Sequence, residues 1–128
     1  MTMAAPMYSI TWHKPQRLLR LTWLAGTEGM TDEDFRETLQ VFADGAVQHR
    51  ATRLVIDVRE FRHKPSKEIL AWRDQVTVAK YNQAGAERQA WIWPGDVSSM
   101  KPSSEGRRYE ERYFSTEEEA LAWLTENL

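Results

Sequence analysis

The sequence predicts an α/β domain, a mixed sheet flanked by helices with its elements in the order ββαβαβ-loop-βα. Three observations carry that expectation. Two runs of period-two alternation stand close together near the start and read as a β-hairpin. The run Leu54-Val55-Ile56-Asp57-Val58 is apolar on both alternating faces, as in a strand buried centrally beside a parallel neighbour. Amphipathic helical stripes separate the strand patterns, as βα crossovers require. With 128 residues, no internal repeat and no linker, a single domain over 1–128 is expected, long enough to bury a core without staples.

In order, Tyr8, Ile10 and Trp12 alternate with polar neighbours, Lys14-Pro15 turns the chain, and Leu19, Leu21 and Trp23 return it. Trp12 and Trp23, one on each strand, are candidates to pack across the hairpin. Thr31 with Asp34 opens a helix, with Asp32, Glu33 and Asp34 set against the positive end of its dipole. Phe35, Leu39, Phe42 and Ala46 form its apolar stripe, and it ends near His49 or Arg50. Gly45 inside it costs about 1 kcal/mol relative to Ala. After the central strand, a polar bend leads to a helix starting at Ser66, with Ile69, Trp72, Val76 and Ala79 on one face and an exit loop over residues 82–87. Ala90-Trp91-Ile92-Trp93 is a short strand stopped by Pro94-Gly95. Residues 96–108 lose periodicity and read as a mobile loop with one helical turn near Val97 to Met100. Tyr109 to Phe114 reads as a charged edge strand, its charges and those of Glu105, Arg107 and Arg108 solvated. Ser115 with Glu118 forms a capping box for a last helix with the stripe Leu121, Leu124 and Leu128, Ala120 and Trp123 beside it.

Composition excludes several function classes. Seventeen Lys and Arg against nineteen Asp and Glu give a net charge of −2, without the basic excess that drives phosphate-backbone binding, so nucleic acid is not an expected partner. The chain has no cysteine, which removes thiol catalysis, thiolate metal sites and disulfides, and fits a reducing compartment. The opening MTMAAPMYSITW lacks the basic flank and apolar run of a leader, and no segment has bilayer length, so a cytoplasmic protein without membrane insertion is expected. His13, His49 and His63 fall in three separate elements with no ligand spacing. No GxSxG, Gly-rich phosphate loop or paired carboxylates stand out, so neither an enzyme nor a cofactor is expected. Asp57, the one acid inside an apolar strand, reads as a hydrogen-bonded structural residue rather than a general base.

The strand Leu54-Val55-Ile56-Asp57-Val58 with its bend and helix, and the ending Phe114-Ser115-Thr116-Glu117-Glu118-Glu119-Ala120-Leu121-Ala122-Trp123-Leu124, resemble the STAS domain, especially its SpoIIAA-like branch. That module is shared by anti-sigma-factor antagonists and the cytoplasmic tails of sulfate transporters. The resemblance spans nearly the whole chain and implies a bacterial regulatory module. In the antagonists a serine at the helix start, in an Asp-Ser pair, is phosphorylated by a partner kinase. Ungapped counting from Leu54 puts that serine at Ser66, where Pro65 replaces the Asp and Lys67-Glu68-Ile69-Leu70 replaces the small Ser-Gly-Leu-Gly run. Related folds include carriers of apolar ligands.

Two candidate sites follow. The bend Glu60 to Ser66 offers Ser66 as helix cap or phosphoacceptor, with Arg62, His63, Lys64 and Lys67 around a helix N-terminus that attracts anions. Trp91 and Trp93 share one side of their strand, either as core or as an aromatic floor for an apolar ligand or a partner helix, with the 96–108 loop as lid. The leading expectation is a non-enzymatic regulatory module that binds a protein partner through the bend and the following helix. The alternative is a carrier of a small apolar or lipid-like ligand, and a homodimer through an edge strand stays open.

Overall fold

The computed structural model describes residues 5–128, and the first four residues of the stretch read above for a leader lie outside the described residues. The strands are β1 (Tyr8–His13), β2 (Leu18–Trp23), β3 (Arg53–Asp57), β4 (Arg88–Ile92) and β5 (Glu110–Phe114). The helices are α1 (Asp32–His49), α2 (Lys67–Ala84) and α3 (Glu117–Leu124). The sheet order is β1-β2-β3-β4-β5, with β1 antiparallel to β2 and all other neighbours parallel. This is the expected mixed α/β architecture, with β3 at its centre and all five of its residues buried.

Local rules place the helices. Thr31 and Asp34 form a reciprocal capping box, each side chain meeting the other's backbone N–H at 3.1 Å. Phe35, Leu39, Phe42 and Ala46 are buried, and Arg50 ends α1 in the left-handed region at φ 53°. At Gly45 a Cβ would sit 3.5 Å from a Leu19 methyl, so the glycine marks close packing of α1 on β2 rather than a break.

One sheet face carries α1 and α2, with Leu19, Leu21, Trp23, Leu54 and Ile56 in the core beneath them. The opposite face carries α3, whose Ala120, Trp123 and Leu124 pack with Leu18, Val55, Ala90 and Ile92. Two strand arginines close the end of α3: Arg53 Nε donates to Leu124 O and Arg88 Nη1 to Trp123 O, each at 2.7 Å. They satisfy carbonyls that the helix leaves open and put positive charge at the negative end of its dipole.

Five expectations shift. The α3 cap is Thr116 with Glu119 rather than Ser115 with Glu118; both pairs fit the box, and seating Ala120, Trp123 and Leu124 on the sheet selects the later one. Leu128 is 62% exposed, because α3 ends at Leu124. The buried stripe of α2 is Ile69, Thr77, Val78, Tyr81 and Ala84, rotated from the predicted one, so that Ala79 is exposed and Trp72 and Val76 are half-buried. That helix also reaches Ala84 and stops at Gly85 with φ 88°, which shortens the exit loop. In β5, Glu111 is buried and pairs with Arg107 at 3.4 Å rather than being solvated.

The hairpin tryptophans do not meet. The register sets Trp12 opposite Leu19 and Trp23 opposite Tyr8, at opposite ends of the ladder. Trp12 stacks on His49 at 4.5 Å instead, while Trp23 joins Phe35 and Phe61.

Candidate functional site

The carboxyl ends of the parallel strands gather the chemistry, as they do in open α/β sheets. Asp57 ends β3 and is 3% exposed. Its carboxylate accepts from Arg59 N at 3.1 Å, Arg59 Nε at 3.0 Å, Arg59 Nη2 at 2.7 Å and Arg20 Nη2 at 3.0 Å. Glu117, in the first turn of α3, accepts from the same Arg20 Nη2 at 2.7 Å. Burial pushes the Asp57 carboxyl up, and the hydrogen bonds and charge of Arg59, with the charge of Arg20, more than offset it, so the group sits below its ordinary value. This arrangement ties β2, β3, the bend and α3 together, and it suits the structural reading of Asp57.

The bend leaves Asp57 with a tight turn in which Phe61 N donates to Val58 O at 3.1 Å. Two anchors then hold it. Arg62 N donates to the Thr27 hydroxyl at 2.8 Å, and Phe61 packs its ring against the stacked pair of Trp23, 5.0 Å away, and Phe35, 5.7 Å away. Arg59, Glu60, Arg62, Lys64 and Lys67 are left exposed. Sequence reasoning placed the bend but missed Phe61 and Thr27, whose neighbours come from β2, the turn after it and α1.

Ser66 is the cap of α2, its hydroxyl accepting from Ile69 N at 3.2 Å. Asp32, at the start of α1, also reaches this point: its carboxylate takes His63 Nε2 at 2.8 Å and Ser66 N at 3.4 Å. Hydrogen bonding with the Ser66 side chain first, and with His63 second, holds the Asp32 carboxyl below the ordinary carboxylate value. The anion that this helix N-terminus attracts is thus the protein's own carboxylate. Asp32 thus sets an acid beside Ser66 from a different helix, where Pro65 precedes the serine in sequence. His63 is spent on Asp32 and on Phe35 and Phe61, with ring centroids 6.1 and 6.2 Å away, while Arg62, Lys64 and Lys67 remain in solvent. Replacing Ser66 with Ala is expected to cost about 1 kcal/mol in urea unfolding; a loss below about 0.3 kcal/mol would show that Asp32 caps α2 unaided.

Trp91 and Trp93 lie immediately beside this bend. They form part of an apolar recess of about 100 Å³ whose other lining includes Trp23, Phe35, Val58 and Phe61, so the two candidate sites share a wall. Trp91 stacks on Tyr113 at 6.0 Å, and Trp93 meets the same ring edge-on at 5.8 Å. With the Gln89 amide turned so that its oxygen faces the indole, Trp91 Nε1 donates to it at 3.2 Å. Both tryptophans are half-buried, between the core and surface alternatives. The loop after β4 does not close this recess. Its Ser103, Glu105, Gly106 and Arg107 line a separate cleft against α2, anchored where Asn82 Nδ2 donates to Gly106 O at 2.8 Å and Arg108 N to Asn82 Oδ1 at 2.9 Å.

The other histidines stay apart: His49 stacks on Trp12, and His13 is exposed at the end of β1. Among the described residues no group of three or more His, Asp or Glu could hold a metal ion, and no helix is long and apolar enough to cross a membrane.

Comparison with curated proteins found no match, and comparison with solved structures found none. Comparison with family models found one, described as SpoIIAA-like, which matches residues 21–125 and so runs from β2 to the end of α3, leaving β1 outside. That match covers most of the chain, and the chain belongs to the SpoIIAA-like family.

Proposed function

We propose that this chain is a non-enzymatic regulatory module that recognises a protein partner through the bend Glu60 to Ser66 and the first turn of α2. The observation that carries the reading is the bend itself, pinned by Phe61 and Thr27 while Glu60, Arg62, Lys64 and Lys67 project into solvent. A surface fixed before binding loses little conformational freedom on association, which favours specific recognition. Membership of the SpoIIAA-like family supports a role of the antagonist kind. Ser66 serves first as a cap. A phosphate there would set about two negative charges beside Asp32, within reach of His63, Lys64 and Lys67, and so loosen the tie between α1 and α2.

Photocrosslinking in lysate of the source cells tests this reading. With the crosslinker at position 64, one partner protein is expected to be captured, and capture falls several-fold at position 83, an exposed site on α2 away from the bend. Ser66→Asp is expected to lower capture at position 64. Equal labelling from both positions, or none from either, overturns the reading.

A second reading, a carrier of a small apolar ligand, is favoured by the recess at Trp91 and Trp93. Because Phe61 belongs to the bend and lines the recess, an occupant of the recess would touch the recognition surface from beneath, and the two readings are compatible.

A further inference from the structure

We propose that the recess beneath the bend binds a small apolar carboxylate about the size of benzoate, its hydrophobic body among Phe61, Trp91 and Trp93 and its carboxylate on the Arg73 guanidinium. The proposal rests on the apolar-ligand reading and adds the class of ligand. Volume sets the size: about 100 Å³ is available, below the roughly 150 Å³ of an apolar cavity that holds a benzene ring, so the recess takes at most one ring and the carboxylate lies at its mouth. A long acyl chain is too large.

The lining sets the chemistry. Eight of the nine lining residues are apolar or aromatic, the ninth is Arg73, and none is acidic. Arg73 lies with its Cζ 6.0 Å from the centroid of the Trp91 ring, so the guanidinium borders the aromatic wall. Its Nε and Nη2 both donate to one oxygen, Asp74 Oδ1, at 3.1 and 3.0 Å, and Nη1 has no hydrogen-bond partner among the described residues. A planar guanidinium with an unused donor beside an apolar slot suits a carboxylate better than any neutral group.

Depth sets the orientation. Beyond Arg73 and Trp91 the space narrows to about 20 Å³ between Gln89, Tyr109 and Glu111, room for about one water. Glu111 and Asp74 line that space together with Arg107, and room for one water does not admit a carboxylate, so the ligand's charge stays at Arg73. Asp74 competes for the same guanidinium, and removing its charge strengthens the hold on a ligand carboxylate.

The test is a titration of the ¹⁵N-labelled full chain with sodium benzoate and with benzamide, followed by two-dimensional NMR at the indole N–H signals. Both probes are expected to shift the Trp91 and Trp93 indoles saturably, benzoate at least tenfold more tightly. Arg73→Gln removes the preference while benzamide affinity stays within about twofold, since charge-assisted pairing is lost and the apolar contacts remain. Asp74→Asn tightens benzoate several-fold and leaves benzamide unchanged, and it decides the question even where Arg73→Gln folds poorly. Equal affinity for the two probes in the unmodified chain, or an unchanged benzoate affinity in Asp74→Asn, overturns the carboxylate assignment while leaving the apolar-ligand reading standing. No saturable indole shift with either probe overturns both.

Discussion

Asp57→Ala is expected to destabilise the chain by about 3 kcal/mol, the low end of the cost of removing one partner from a buried ion pair. The low end applies because Arg59, with a side chain 42% exposed, returns its charge to water, whereas Arg20, at 17%, is left largely out of solvent with Glu117 as its remaining counter-charge. The loss also frees the Arg59 backbone N–H that Asp57 holds at 3.1 Å, so the residue leading into the bend loosens with it. Urea unfolding of the two chains at neutral pH measures the difference. The pH dependence supplies a second readout. The folded-state carboxyl lies below its ordinary value of 3.8, so its stabilisation is complete above that value and is lost as pH falls through the folded value. The gap between the unmodified chain and Asp57→Asn should therefore be constant from about pH 7 to pH 5 and shrink below about pH 4. A gap that closes already between pH 7 and pH 5, or a destabilisation under about 1 kcal/mol, would show that the ion pairs contribute little.

The sequence exposed Asp57 as an oddity and Ser66 as a cap because both signals are local: an acid in an apolar run, and a serine after proline at a helix start. What those residues touch was not legible, since Arg20 lies 37 positions from Asp57 and Asp32 lies 34 from Ser66, and no local pattern encodes either pairing. The order of elements could be read because each has its own period and its own start and stop chemistry. Faces were harder. In α2 the inward positions include Thr77 beside Val78 and Tyr81, so apolar spacing alone chose the wrong rotation; Thr77 is accommodated there because its hydroxyl donates to Arg73 O at 2.6 Å. Trp91 and Trp93 were placed on one side correctly. Their sharing a recess with the bend follows only from the parallel register, which sets Trp91 beside Ile56 and brings the end of β4 next to Val58.

Phe61→Ala is expected to lower stability by about 2 kcal/mol and to weaken partner capture at the bend several-fold. A fully buried phenylalanine truncated to alanine costs about 3–5 kcal/mol, and Phe61 is half-buried, so the smaller figure applies. The ring touches Trp23, Phe35 and His63, at centroid distances of 5.0, 5.7 and 6.2 Å, and no other side chain of the bend enters this aromatic cluster to the same extent. Removing it opens the recess toward solvent and leaves the Arg62 N–H bond to Thr27 as the main tie between the bend and the turn after β2. Phe61→Leu keeps most of the apolar volume and should cost under about 1.5 kcal/mol. Thermal unfolding ranks the three chains, and crosslinking from position 64 reports on the bend. The outcome expected is a folded Phe61→Ala chain that captures partner several-fold less than Phe61→Leu does. Full capture by the alanine variant would mean that recognition needs only the charges of Arg62, Lys64 and Lys67 and not the fixed shape of the bend, because those residues keep their place in the sequence while the anchor that orders them is gone.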